Sequence, residues 1–114
     1  MTVRRGEIGL ADLSPTRGPE QSGTRPVVVF QNDLLSKYTA TVLAIPLTTN
    51  LRRALLPSCV RITEGVGGLM YDSVALCHQL RVLDRTRLQR KLGVLPPEVL
   101  ADIQSHVLFT LGIT

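Results

Sequence analysis

Gly23-Thr24-Arg25-Pro26-Val27-Val28-Val29-Phe30 decides how this chain folds. The residue before a proline is driven out of the helical region, so Arg25 enters an extended backbone. The run Val27 to Phe30 is β-branched and aromatic without interruption, which reads as a strand buried on both faces. Upstream, Glu7 to Asp12 alternates Ile8 and Leu10 with other residues and reads as a second strand. Between the two, Leu13 to Thr24 holds Pro15, Gly18, Pro19 and Gly23 and forms a long loop. Loops of this length are uncommon in small domains and often carry function.

Downstream, Asn32 to Lys37 reads as a short helix capped by Asn32. Thr41 to Leu47 is a strand in which Pro46 points to an edge or a bulge near the end. Pro57 to Thr63 alternates as a strand and is followed by a turn at Gly65 to Gly68. Asp72 to Leu83 reads as one strand, with Val74, Leu76, His78 and Leu80 on one face and Ala75, Cys77, Gln79 and Arg81 on the other. The period then changes. Pro96 and Pro97 suit a helix start, Glu98 favours the positive end of its dipole, and Leu100, Ile103, Val107 and Leu111 recur at helical spacing before Gly112. Short strands closed by one amphipathic helix predict a small β-barrel or twisted sheet with a helix packed on it.

The 114 residues suit a single domain spanning 1–114. No apolar run reaches the roughly 18 residues of a membrane span, and Arg4, Arg5 and Glu7 leave no apolar segment of the signal-peptide type in Met1 to Leu10. A cytoplasmic protein is therefore expected. Cys59 and Cys77 match no metal or redox spacing and read as small buried hydrophobes. The net charge of +4 is concentrated between Arg81 and Lys91, where Arg81, Arg85, Arg87, Arg90 and Lys91 face one acid, Asp84. Eleven of the thirteen basic residues are arginine, suited to forked contacts with phosphate oxygens. An anionic partner, either a nucleic acid or an acidic peptide, follows as an expectation.

Four blocks then fall in a recognisable order: Arg5-Gly6-Glu7-Ile8 with Asp12 through Val29; Pro46-Leu47-Thr48-Thr49; Asp72-Ser73-Val74-Ala75; and Gln79-Leu80-Arg81-Val82-Leu83-Asp84 with Arg87-Leu88. Together they resemble the MazF/PemK toxins of type II toxin-antitoxin systems over nearly the whole chain. The resemblance implies a mainly β fold, an SH3-like barrel of the MazF–CcdB–Kid type, with a C-terminal α-helix and short helices. It also implies a homodimer that cleaves single-stranded RNA, such as mRNA, at short motifs. In such enzymes the ribose 2′-hydroxyl attacks the adjacent phosphate, leaving a 2′,3′-cyclic phosphate and a 5′-hydroxyl, without metal or other cofactor. A cognate antitoxin with an acidic C-terminal tail is the implied inhibitor, and no membrane partner is implied.

The family's catalytic arginine and threonine fall on Arg25 and Thr48. A guanidinium aimed at the phosphoryl oxygens stabilises the charge that grows there in the transition state, and the Thr48 hydroxyl could donate to the same phosphate. The proton acceptor stays open among Glu20, His78 and Arg25 itself. A guanidinium is a poor base, Glu20 lies in the long loop, and His78 has a suitable intrinsic pKa. In relatives resembling the PemK branch, an acidic residue precedes the glutamine of the Gln-x-Arg block; here that position is His78. Arg17, Thr49, Arg52, Arg53, Gln79 and Arg81 are the candidates for substrate binding, because arginines suit phosphates while amides and hydroxyls read base edges. With Phe30, Tyr38, Tyr71 and Phe109 as the aromatic set, stacking platforms are few. His106 reads as structural. Two other classes compete: a CcdB-like gyrase poison acting through its terminal helix, and a plain SH3-like module for an acidic peptide.

Overall fold

The computed structural model describes residues 3–113. Seven strands form one mainly antiparallel sheet: β1 (Glu7–Asp12), β2 (Thr24–Val29), β3 (Thr41–Thr48), β4 (Cys59–Ile62), β5 (Ser73–Leu76), β6 (Arg81–Asp84) and β7 (Leu88–Val94). A short helix α1 (Asp33–Ser36) follows β2, and a longer helix α2 (Pro97–Thr110) closes the chain. Single 3-10 turns occur at Leu51–Leu55, Val66–Gly68, Cys77–Gln79 and Arg85–Arg87. The strand order is β4-β5-β3-β2-β1-β7, with β6 also paired to β3.

β2 is central, as its composition predicts: Val27, Val28 and Val29 are all fully buried. Strand alternation sends them to different faces. Val28 joins Ile8, Ile45, Leu47, Val60 and Ile62 under α2, whose Ile103 and Val107 seal that face. Val27 and Val29 join Ala11, Leu13, Val42, Ala44, Leu83 and Leu88 on the other. Leu83 of β6 and Leu88 of β7 share this second cluster although their strands pair with β3 and β1 respectively. The sheet therefore curls towards a barrel, but β6 and β7 are not hydrogen-bonded to each other and it stays open.

The segment predicted as one strand from Asp72 to Leu83 is instead β5 and β6 laid end to end along the same edge of β3, interrupted by the 3-10 turn Cys77–Gln79. Pro46 supplies the reason. Leu43 gives its carbonyl to Phe30 on the β2 side, so alternation turns the even-numbered residues of β3 towards β5 and β6. Pro46 has no N–H to offer there, and the pairing on that edge stops between Ala44 and Leu47. Pro46 thus marks neither a sheet edge nor a bulge in its own strand. It marks the break in the neighbouring one, and the break pushes His78 and Gln79 out of the ladder.

The other elements follow their local signals. Asn32 caps α1 by accepting the Leu34 N–H at 2.9 Å. Pro96 and Pro97 open α2, and Gly112 and Ile113 close it by bonding the carbonyls of Phe109 and Leu108. Leu111, predicted as the last member of the apolar stripe, is instead the C-cap residue and is exposed, because the helix ends before it can be covered. Cys59 and Cys77 are free and buried; burial raises both thiols, Cys77 to about 12. No helix among the described residues is long and apolar enough to cross a membrane.

Candidate active site

Arg25 lies on β2 opposite Ala11 of β1. On the other side of β2, Val27 pairs with Pro46 of β3. Continuing that antiparallel register by two residues brings Arg25 level with Thr48, on the same face of the sheet. Arg81, opposite Ala44, shares this face. The apolar cluster of the second face therefore ends in a polar rim made of Arg25, Thr48 and Arg81.

The bonding of these groups suits an anion. The Arg25 Nε donates to the Ser22 carbonyl at 3.0 Å, and neither terminal nitrogen has a partner among the described residues. The strut fixes the guanidinium through a neutral carbonyl, so its positive charge stays uncompensated. Thr48 is buried, and its Oγ1 accepts the Asn50 N–H at 3.2 Å. A hydroxyl that is accepting still has its own hydrogen to donate. Arg81 reaches back to the Leu13 carbonyl at 3.4 Å.

The long loop is tied down against this rim. Gln79 Oε1 accepts the Gln21 N–H at 2.8 Å, and its Nε2 donates to the Pro19 carbonyl at 3.3 Å. Both polar ends of this candidate base-reader thus hold the loop. Arg87, which the sequence reading assigned no role, donates to the Asp12 and Ser14 carbonyls at the loop's beginning. Glu20 braces its own turn by accepting the Arg17 N–H at 3.0 Å. With the loop in place, Glu20, His78, Gln79, Leu80 and Arg81 line one small cleft of about 210 Å3.

His78 is anchored from the far side. Its Nδ1 lies 2.9 Å from the Ser58 Oγ and 3.8 Å from the Cys59 Sγ. His78 is exposed overall, but partial desolvation of the ring lowers its pKa, and the Arg53 guanidinium lowers it further by opposing a second positive charge. Ser58 was missed by the sequence reading, since nothing local links it to a histidine twenty residues away. Of the remaining candidates, Arg53 stands beside His78, while Arg17 and Arg52 are exposed. Thr49 lines a separate hollow with Leu51, Glu64, Tyr71 and Asp72.

The basic stretch from Arg81 to Lys91 is largely committed within the fold. Arg85 donates to the Ser36 and Thr39 carbonyls, Arg87 holds the loop, and Lys91 pairs with the buried Glu7 at 2.8 Å. Arg90 is exposed and has no partner among the described residues. Among the described residues no group of three or more His, Cys, Asp or Glu side chains converges as a metal site.

Residues 4–111 match the family model of the PemK-like, MazF-like toxins of type II toxin-antitoxin systems. The chain belongs to this family. It is 40% identical over 111 residues to Endoribonuclease MazF of Staphylococcus saprophyticus, covering 97% of this chain and 92% of that one. Crystal structures of Deinococcus radiodurans proteins agree in fold. MazF aligns with a TM-score of 0.84 at 27% identity, covering 98% of this chain and 99% of that one. A MazE–MazF structure aligns at 0.76 and 26% identity over the whole of both chains. The open, curled sheet with its terminal helix is thus the MazF-like fold, and the Arg25 and Thr48 rim lies within the matched span.

Proposed function

We propose that this MazF-like toxin is a metal-independent endoribonuclease acting on single-stranded RNA, with Arg25 and Thr48 gripping the scissile phosphate. One observation carries the reading: an arginine with an unpaired terminal fork lies level with a threonine whose hydroxyl hydrogen is free, on one sheet face. As the 2′-oxygen attacks, charge grows on the phosphoryl oxygens, and a positioned fork stabilises that state most. The cleft beside it supplies the proton acceptor, with Glu20 and His78 both on its wall. Products are a 2′,3′-cyclic phosphate and a 5′-hydroxyl. Arg17, Arg52, Arg53 and Arg81 serve the flanking phosphates, and Thr49 and Gln79 the bases.

The same cations suit an acidic antitoxin segment, which would inhibit by occupying the RNA path. In this proposal the chain works as one domain within a homodimer.

Purified protein is expected to cut single-stranded RNA in EDTA, and to leave intact an oligonucleotide lacking the 2′-hydroxyl at the scissile position. Arg25→Ala should slow cleavage on the order of 10²–10³-fold with the circular dichroism spectrum unchanged. Cleavage of the deoxy-substituted strand, or a fully active Arg25→Ala, rejects this chemistry.

A further inference from the structure

We propose that Ser58 is a positioning residue, holding His78 in the tautomer protonated on Nδ1 so that Nε2 accepts the 2′-hydroxyl proton in the cleft. The inference rests on the ribonuclease reading above. His78 sits on the 3-10 turn Cys77–Gln79 and lines the cleft with Glu20 and Arg81. Its Nδ1 is occupied by Ser58 Oγ at 2.9 Å, with Cys59 Sγ a weaker neighbour at 3.8 Å. Among the described residues Nε2 has no partner, so it is the ring atom left for a ligand.

A neutral imidazole carries one hydrogen, and which nitrogen holds it decides what the other can do. If Nδ1–H donates to Ser58, Nε2 presents a lone pair. The Ser58 hydroxyl hydrogen then turns to Cys59 Sγ, 3.8 Å away, closing a chain from ring to hydroxyl to sulfur. Arg53 from the turn Leu51–Leu55 opposes protonation, and partial desolvation acts in the same direction. Glu20 and Arg81 line the same cleft with opposite signs. Cys59 of β4 is kept as a thiol by burial, and Asp102 of α2 acts on the neighbouring Cys77. Glu20, by contrast, already has one carboxylate oxygen engaged by Arg17.

The step balances without an added reactant. The 2′-O–H bond breaks as its proton passes to Nε2, and the 2′-oxygen bonds to phosphorus. The P–O5′ bond breaks with its electron pair on the 5′-oxygen, which takes a proton from water. The imidazolium returns its proton to solvent. Ser58 accepts from Nδ1–H throughout, so the ring keeps its orientation in both charge states.

The test combines ring-nitrogen NMR on the full-length, ¹⁵N-labelled protein with cleavage of a single-stranded RNA substrate. At neutral pH the wild-type His78 should show a protonated Nδ1 and an unprotonated Nε2. Ser58→Ala should mix the tautomers and lower kcat about tenfold, whereas Ser58→Thr should keep both the tautomer and the rate. A wild-type ring protonated on Nε2, an unchanged kcat in Ser58→Ala, or a tenfold loss in Ser58→Thr with the tautomer intact overturns the proposal. If RNA cleavage is lost in Arg25→Ala yet unaffected in Ser58→Ala, this inference alone falls. Failure of the wild type to cut RNA removes the underlying reading as well.

Discussion

His78 illustrates how one side chain takes its chemistry from neighbours remote in sequence. Partial desolvation is the larger influence and Arg53 the second, and both disfavour the imidazolium, so its pKa lies below the ordinary 6.5. Below pH 6.5 the unfolded chain therefore binds more protons at this site than the folded one. The sign follows: the site leaves stability untouched at neutral pH and reduces it as the pH falls through the folded pKa. The acid limb of cleavage should also lie below 6.5 if this ring is the base. Arg53→Ala removes one of the two causes and should move the His78 titration upwards, towards 6.5, without abolishing the shift from desolvation. An NMR titration of the free protein reads this directly, independently of any loss of RNA affinity. A midpoint that stays in place or moves down contradicts the electrostatic account. Arg25, by contrast, is legible from its own neighbours, because Pro26 and the valine run set its backbone, and only its Ser22 strut needed the structure.

Among the elements, the turn Val66–Gly68 and β7 approach so closely that neither of the facing glycines Gly68 and Gly93 has room for a Cβ. Gly68 has a positive φ of 79°, and a Cβ there would collide with the Leu92 carbonyl oxygen; a Cβ on Gly93 would collide with the Gly67 carbonyl. Neither neighbour is a flexible side-chain end, so the backbone itself must move. Gly68→Ala should destabilise the protein by about 2–4 kcal/mol, from the left-handed conformation and the collision together. A denaturant melt with a midpoint equal to wild type would show that the turn and β7 separate freely. The sequence reads as a turn at Gly65 to Gly68, but its partner is hidden. β7 is polar and largely exposed, Leu-Gln-Arg-Lys-Leu-Gly-Val, and is extended because β1 pairs with it, not because its composition asks for a strand. The break between β5 and β6 was hidden for a related reason. Each half reads as a strand by itself, and the signal of the break, Pro46, lies on a different strand. α2 and β2 were legible because their burial is written in their own periodicity.

At the scale of the whole molecule, the face covered by α2 runs out from under the helix at Leu43 and Val82. These two are paired across β3 and β6 and are 36% and 58% exposed. Nearby, Arg85 ties the end of α1 and the loop after it to the β6–β7 turn, next to exposed Leu35 and Tyr38. Apolar groups left uncovered in this way are the sort of surface that self-association buries. The cleft gives a second argument. At about 210 Å3 it is smaller than the roughly 300–1,000 Å3 that enclose small-molecule ligands, so a nucleotide needs a further wall, which a second copy could supply. The protein is expected to sediment at micromolar concentration with twice the 12.5 kDa mass of the chain. Val82→Lys places a charge in the patch and should yield a folded monomer whose RNA cleavage falls at least tenfold; Val82 lies on the sheet face opposite Arg25, Thr48 and its neighbour Arg81, so loss of the dimer is what the variant reads. A wild-type monomer that cleaves RNA would show that one chain completes the site. A Val82→Lys dimer with full activity would move the interface elsewhere on the surface, with the exposed Phe109, Leu111 and Ile113 at the end of α2 the next place to introduce charge.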